Sequence, residues 1–104
     1  MNLETNVYGE YINITITGTI KTITNTQAIK EALKKTHEQY PEAIINLIIK
    51  DSFIITSAVI GFLIKSIKMD KMNVYVLVHS EELYSMLDDM NLIELMNVKK
   101  VQNA

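Results

Sequence analysis

Apolar and polar positions change period several times along the chain, and each change marks an element. Residues 11–17 read YINITIT: Ile12, Ile14 and Ile16 alternate with Asn13, Thr15 and Thr17, the period of two of a half-buried strand. Residues 3–8 form a second extended stretch, and Gly9-Glu10 between them suits a two-residue Gly-X hairpin turn. Gly18 ends the run. Thr24, Asn25, Thr26 and Gln27 have the form of a capping box, with Thr24 as cap and Gln27 three residues on. They predict a helix to about Tyr40. Its apolar stripe is Ala28, Ile29, Ala32, Leu33 and Tyr40, its wet face Lys30, Glu31, Lys34, Lys35 and Glu38, and Pro41 closes it.

Residues 43–49 are β-branched and apolar on both faces, which predicts a strand buried on both sides. The stretch that follows, 51–67, organises the rest of the chain. It opens as a polar break and becomes a helix in which Val59, Ile60, Leu63, Ile64 and Ile67 recur at helical spacing. Thr56 and Ser57 stand at the join, where a helix takes a hydroxyl as its N-cap. Residues 73–78 are a second apolar strand. Two such strands around a helix predict a right-handed βαβ unit with parallel, central strands, and Ile45, Leu47, Val76 and Val78 are expected in the core. Ser80 caps a third helix, with Glu81 and Glu82 in its first turn and Leu83, Met86, Leu87 and Met90 facing inward. Asn91 stands where the chain leaves that helix, in the left-handed conformation that Asn tolerates. Residues 92–98 are read as a last short strand and 99–104 as a frayed end. The order β-β-α-β-α-β-α-β predicts one α/β domain over residues 1–104: a mixed four- to five-stranded sheet, central strands parallel, covered by three to four helices.

Composition narrows the chemistry. The chain has 104 residues, 48% of them hydrophobic, which suits one packed core. It has no cysteine, so disulfides, thiol nucleophiles and thiolate metal sites are excluded. A net charge of −2 offers no basic surplus for a nucleic-acid backbone. The N-terminal residues lack the charged-then-apolar pattern of a signal peptide, and the longest apolar-plus-glycine run, 58–64, falls far short of the ~20 residues of a membrane span. The expected setting is the cytoplasm, without membrane insertion, and the expected state a monomer or weak homodimer.

The usual catalytic groupings are missing from the sequence. His37 and His79 fall in separate elements, with no cluster at metal-ligand spacing, and the three glycines form no phosphate loop. Asp88 and Asp89 are helix neighbours and do not face each other, so they read as a solvated helix end. The six methionines read as core filling. No cofactor or metal is expected, and the chain reads as a non-enzyme. What is left is Ser52, Thr56 and Ser57. A hydroxyl at a helix start is either a cap or a phosphate acceptor, and the residue types leave both open.

Three local patterns, in order and on the right elements, resemble the STAS family of bacterial anti-sigma-factor antagonists over nearly the whole chain. Ile16-Thr17-Gly18-Thr19-Ile20 is similar to that family's strand-ending T-G-x-L/I. Ser52-Phe53-Ile54-Ile55-Thr56-Ser57-Ala58-Val59 is similar to its S-F-x-D-S-S-G-L. Met86-Leu87-Asp88-Asp89-Met90-Asn91-Leu92 is similar to its L-F-x-x-x-G-L, with Asn91 for the glycine. The resemblance implies a non-catalytic protein–protein switch. A partner that is both serine kinase and anti-sigma factor would phosphorylate the first hydroxyl of D-S-S-G, here Thr56, with Ser57 and then Ser52 as alternates. Ser52, Phe53, Ile55, Thr56, Ser57 and Ala58 would meet that partner. The family's Asp is Ile55 here, its glycine Ala58, and the acid often found after T-G-x-L is Lys21. A register that pairs Asp51 with Ser52 would move the acceptor to Ser52. An alternative role for such a domain is accessory subunit of a membrane lipid-transport ATPase.

Overall fold

The structure, a computed structural model, describes residues 1–102. The alternating stretches at the start form the expected hairpin: β1 (Asn2–Tyr8) pairs antiparallel with β2 (Tyr11–Thr17), Tyr8 opposite Tyr11. Gly9 takes φ +64° at the first turn position, as a turn of the II′ kind requires. At the other end of β2, Gly18 has φ +89°, and a Cβ there would stand 3.0 Å from the Cα of Met1, so conformation and close approach both demand glycine.

Three crossovers follow. α1 (Ile23–Gln39) leads to β3 (Ile44–Ile49), α2 (Ser57–Lys68) to β4 (Val74–Val78), and α3 (Glu81–Asp89) to β5 (Val98–Lys100). The sheet is mixed, in the order β1-β2-β3-β4-β5, with every pair after the first parallel. The predicted fold class holds, with five strands and three helices among the described residues.

The order has a consequence that hydrophobic patterning did not reveal. Each crossover steps to the next strand in the same direction, so right-handed connections carry α1, α2 and α3 to one face of the sheet. On that face Ile14, Leu47 and Val76 stand side by side in register, all fully buried, between the rows Ile12-Ile45-Val74 and Ile16-Ile49-Val78. The helices close over them with Ile29, Leu33, Val59, Leu63, Leu83 and Leu87. Ile45, Leu47, Val76 and Val78 are core residues, as expected. Among the described residues the other face has no helix. β3 is therefore not buried on both sides: Ile44 is exposed and Ile48 only half-buried.

Local corrections follow from caps and turns. α1 starts two residues before the predicted point: Thr22 is its N-cap, accepting from the Asn25 N–H, and the Asn25 side chain accepts in return from the Thr22 N–H. Asn at N3 therefore does the work assigned to Gln27, and Thr24 lies within the first turn. The buried stripe is Thr26, Ile29, Leu33 and Thr36, with Ala28 and Ala32 half-buried beside it. α2 starts as predicted, with Thr56 as N-cap.

α3 ends as predicted on Asn91, with φ +59°. The Leu92 N–H bonds the Leu87 carbonyl at 2.9 Å and the Asn91 N–H bonds that of Asp88 at 2.9 Å. These are the paired bonds of a Schellman motif, with Leu87 and Leu92 buried together. Met90, expected inside, is the C-cap and is exposed. Residues 92–97 are turns and not strand, because Leu92 and Met96 recur at a four-residue spacing and the Met96 N–H bonds the Leu92 carbonyl. Asn97, at φ +50°, ends the turns, and β5 begins at Val98. Lys99 and Lys100 belong to that strand and are not frayed, and the Val101 N–H still bonds Val78. The last two residues of the predicted frayed end, 103–104, lie outside the described residues.

Candidate functional site

The loop that leaves β3 meets the loop that leaves β2 at the C-terminal end of the parallel strands. Asp51 Oδ1 accepts from the Gly18 N–H at 2.7 Å. Ser52 Oγ accepts from the Ile20 N–H at 3.1 Å and donates to the Ile54 carbonyl at 2.7 Å. These bonds satisfy backbone groups that no ladder reaches. Ser52 is 1% exposed, its donor and an acceptor position both engaged. It is a clasp between two loops, and neither a phosphate nor a partner reaches it without opening that clasp.

Ile55 is also turned inward. It is 9% exposed and belongs to the core cluster, which removes it from the expected partner surface. An apolar residue in this position has a packing use that a carboxylate would not have. Phe53, by contrast, is 54% exposed, and Ile54, Ser57 and Ala58 are exposed as well.

Thr56 lies half-buried where the starts of α1 and α2 converge. Its Oγ1 accepts from the Val59 N–H at 3.2 Å and lies 3.1 Å from Thr26 Oγ1. Thr26 Oγ1 in turn donates to the Thr22 carbonyl at 3.2 Å. A hydroxyl has one proton, so with Thr26 committed to Thr22, Thr56 is the donor to Thr26. The chain Val59 N–H, Thr56 hydroxyl, Thr26 hydroxyl, Thr22 carbonyl ties one helix start to the other. Thr26 is the residue that sequence reasoning missed. Its signal was its place three residues before Ile29, on the phase of the buried stripe.

The cleft between the two helix starts, about 260 Å³, is lined by Thr26, Thr56, Ser57, Ala58, Ile23 and Lys30 among others. Neither helix has an acid in its first turn, so the partial positive charge at each start is uncompensated by its own helix. Lys21 also lines the cleft. Ile23, the first residue of α1, is 82% exposed at its edge. The result is a notch that joins the positive ends of two helices, with Ile23 bare at its edge.

Other candidate chemistry does not assemble. His37 is half-buried on α1, and His79 follows β4, with its N–H on the Ile49 carbonyl. Among the described residues no three of His, Cys, Asp and Glu are placed to hold a metal ion. Among the same residues no helix is long and apolar enough to cross a membrane. The strand order never reverses, so the sheet lacks the switch-point crevice where doubly wound folds seat ligands. Compared with known proteins, the chain matches no family model and no curated protein.

Proposed function

We propose that this chain is a non-catalytic regulatory module of the STAS kind, acting in the cytoplasm, that docks a protein partner through the notch and its apolar border. The partner is of the serine-kinase and anti-sigma-factor type, and Thr56 is the switch position. The observation that carries this reading is a hydroxyl-capped helix start in a cleft edged by exposed Ile23, with Phe53 and Ile54 exposed in the loop that leads into the same helix. Exposed apolar side chains beside a polar notch are the material of a protein interface.

A phosphate on Thr56 would add roughly −1.5 to −2 charges at two helix N-termini, near Lys21 and Lys30. The domain tolerates that charge. The Thr56 to Thr26 donation is lost, and a partner covering the notch must then desolvate a dianion or supply a cation. Binding weakens while the fold persists. Ser57, exposed at the first position of α2, is the alternate acceptor; buried Ser52 is not.

The test is capture of partners from the cell's own lysate on wild type, Thr56→Ala and Thr56→Asp, with phosphosites mapped by mass spectrometry. The expected result is a kinase-type partner held by wild type and Thr56→Ala and lost from Thr56→Asp. Equal capture by all three, with no phosphate on Thr56 or Ser57, would sink the switch. Capture of a permease and an ATPase would favour the transport-accessory role.

A further inference from the structure

The helix-free face of the sheet carries a second surface, unrelated to the notch. Across it, one register row runs Glu4, Thr15, Ile48, Leu77, Lys99, from β1 to β5. The single acid and the single base of that row stand on the two outermost strands, each two strands from β3. Besides Lys50 at the end of β3, no other strand position on this face is charged. Tyr8, Tyr11 and Ile44 are exposed at one end of it, the two rings stacked at 5.3 Å between centroids. A face with an uncharged middle and tyrosines has the composition of an interface core.

We propose that two copies of this chain pack by these faces, about a twofold axis parallel to β3. Rotation about that axis exchanges the edges of the sheet, so Glu4 of each copy faces Lys99 of the other, twice over. A twofold perpendicular to the strands would instead set Glu4 on Glu4 and Lys99 on Lys99. The charge pattern thus selects both the occupant and the axis. A row whose one acid and one base sit at exchanged positions about the central strand is complementary to itself.

The uncharged residues fit the same axis. Asn46, on β3, meets its own copy, and a primary amide offers donor and acceptor to its like. Asn46 already donates to Asn13 Oδ1 at 3.0 Å, so part of its demand is met within the protomer. Lys99 lies over the Tyr75 ring, 5.6 Å from its centroid, which holds the ammonium near the edge. Lys50, next after the end of β3, falls beside its own copy, and at the rim the long stems carry the two like charges apart into water. Five strands about 4.8 Å apart and some six residues long make a patch roughly 20 Å on a side. That is small beside the ~800 Å² per partner of a standard interface. The association is therefore weak.

Sedimentation equilibrium on wild type, Glu4→Lys, Lys99→Glu and the double exchange tests this. Wild type dimerises with concentration. Each single reversal sets like charges opposite at both edges and weakens Kd roughly tenfold, and the double exchange restores it. The rescue is diagnostic, because Glu4 and Lys99 within one protomer are roughly 19 Å apart across the sheet, beyond the ~8 Å screening length at physiological salt. If Lys99→Glu does not fold, Glu4→Lys on the outermost strand still carries the test through its weakened Kd. Wild type monomeric to about 1 mM overturns the proposal and leaves the face to a different partner. Single reversals that dimerise as wild type does, or a folded double exchange that does not recover, overturn it too.

Discussion

The two faces of the sheet are built from the same strands, and in the middle of β3 from the same residue type, yet they have opposite fates. On the helix side Leu47 is fully buried between Ile14 and Val76; one residue on, Ile48 is half-buried between Thr15 and Leu77. Both are aliphatic residues in the middle of β3. The difference lies in the winding, because three crossovers that step the same way place all three helices on one side. Apolar character in a strand shows its capacity for burial. Which side receives a cover is a property of connectivity.

The largest expected effect sharpens that comparison. Leu47→Ala leaves a cavity in the packed face and is expected to cost about 2–5 kcal/mol. Ile48→Ala, on the open face, is expected to cost about 1 kcal/mol, since part of its surface is already in water. A pair of urea melts decides it, and equal costs would mean the open face is covered in the isolated protein. The same contrast holds on α2 for buried Leu63, again about 2–5 kcal/mol, against exposed Lys65. Lys65 pairs with Asp70 only at the surface, at 3.4 Å, so Lys65→Ala should change stability by no more than about 0.5 kcal/mol.

A smaller effect probes the link between the helix starts. Thr56→Ala removes a cap and is expected to cost about 1 kcal/mol. Thr26→Val leaves the Thr56 donor without its acceptor and is expected to cost about 1 kcal/mol as well. In a double-mutant cycle the two should couple by roughly 0.5–1 kcal/mol. Strict additivity would mean the two hydroxyls do not share a proton.

One further small change is a gain. Gly61 lies on the exposed side of α2, and an added Cβ there meets nothing within 4 Å. Gly61→Ala should therefore stabilise the domain by about 0.5–1 kcal/mol, through the restricted unfolded chain. If the outer side of α2 is also the docking side, the same substitution lowers partner capture while raising the melting midpoint. A variant both more stable and equally well captured would move the docking surface off this part of the helix.

The elements were legible in the chain's own residues, since their signals are local. Alternation in YINITIT sets a half-buried strand, hydroxyls at Thr56 and Ser80 set helix starts, and Asn91 accepts the left-handed turn that ends α3. Even the local errors were local in cause. Asn25 outcompetes Gln27 for the cap of α1 because a short side chain at N3 reaches the N–H groups of Lys21 and Thr22. The four-residue spacing of Leu92 and Met96 is a turn period inside an apolar stretch too short to show it. Packing made Ser52 a clasp, turned Ile55 to the core, brought Thr26 to Thr56 and left one side of the sheet without a helix. Each of these depends on a partner some 30 residues away or on the direction in which the chain winds. Neither leaves a trace in the spacing of neighbouring residues, because periodicity reports only which side of an element is apolar and not what comes to lie against it.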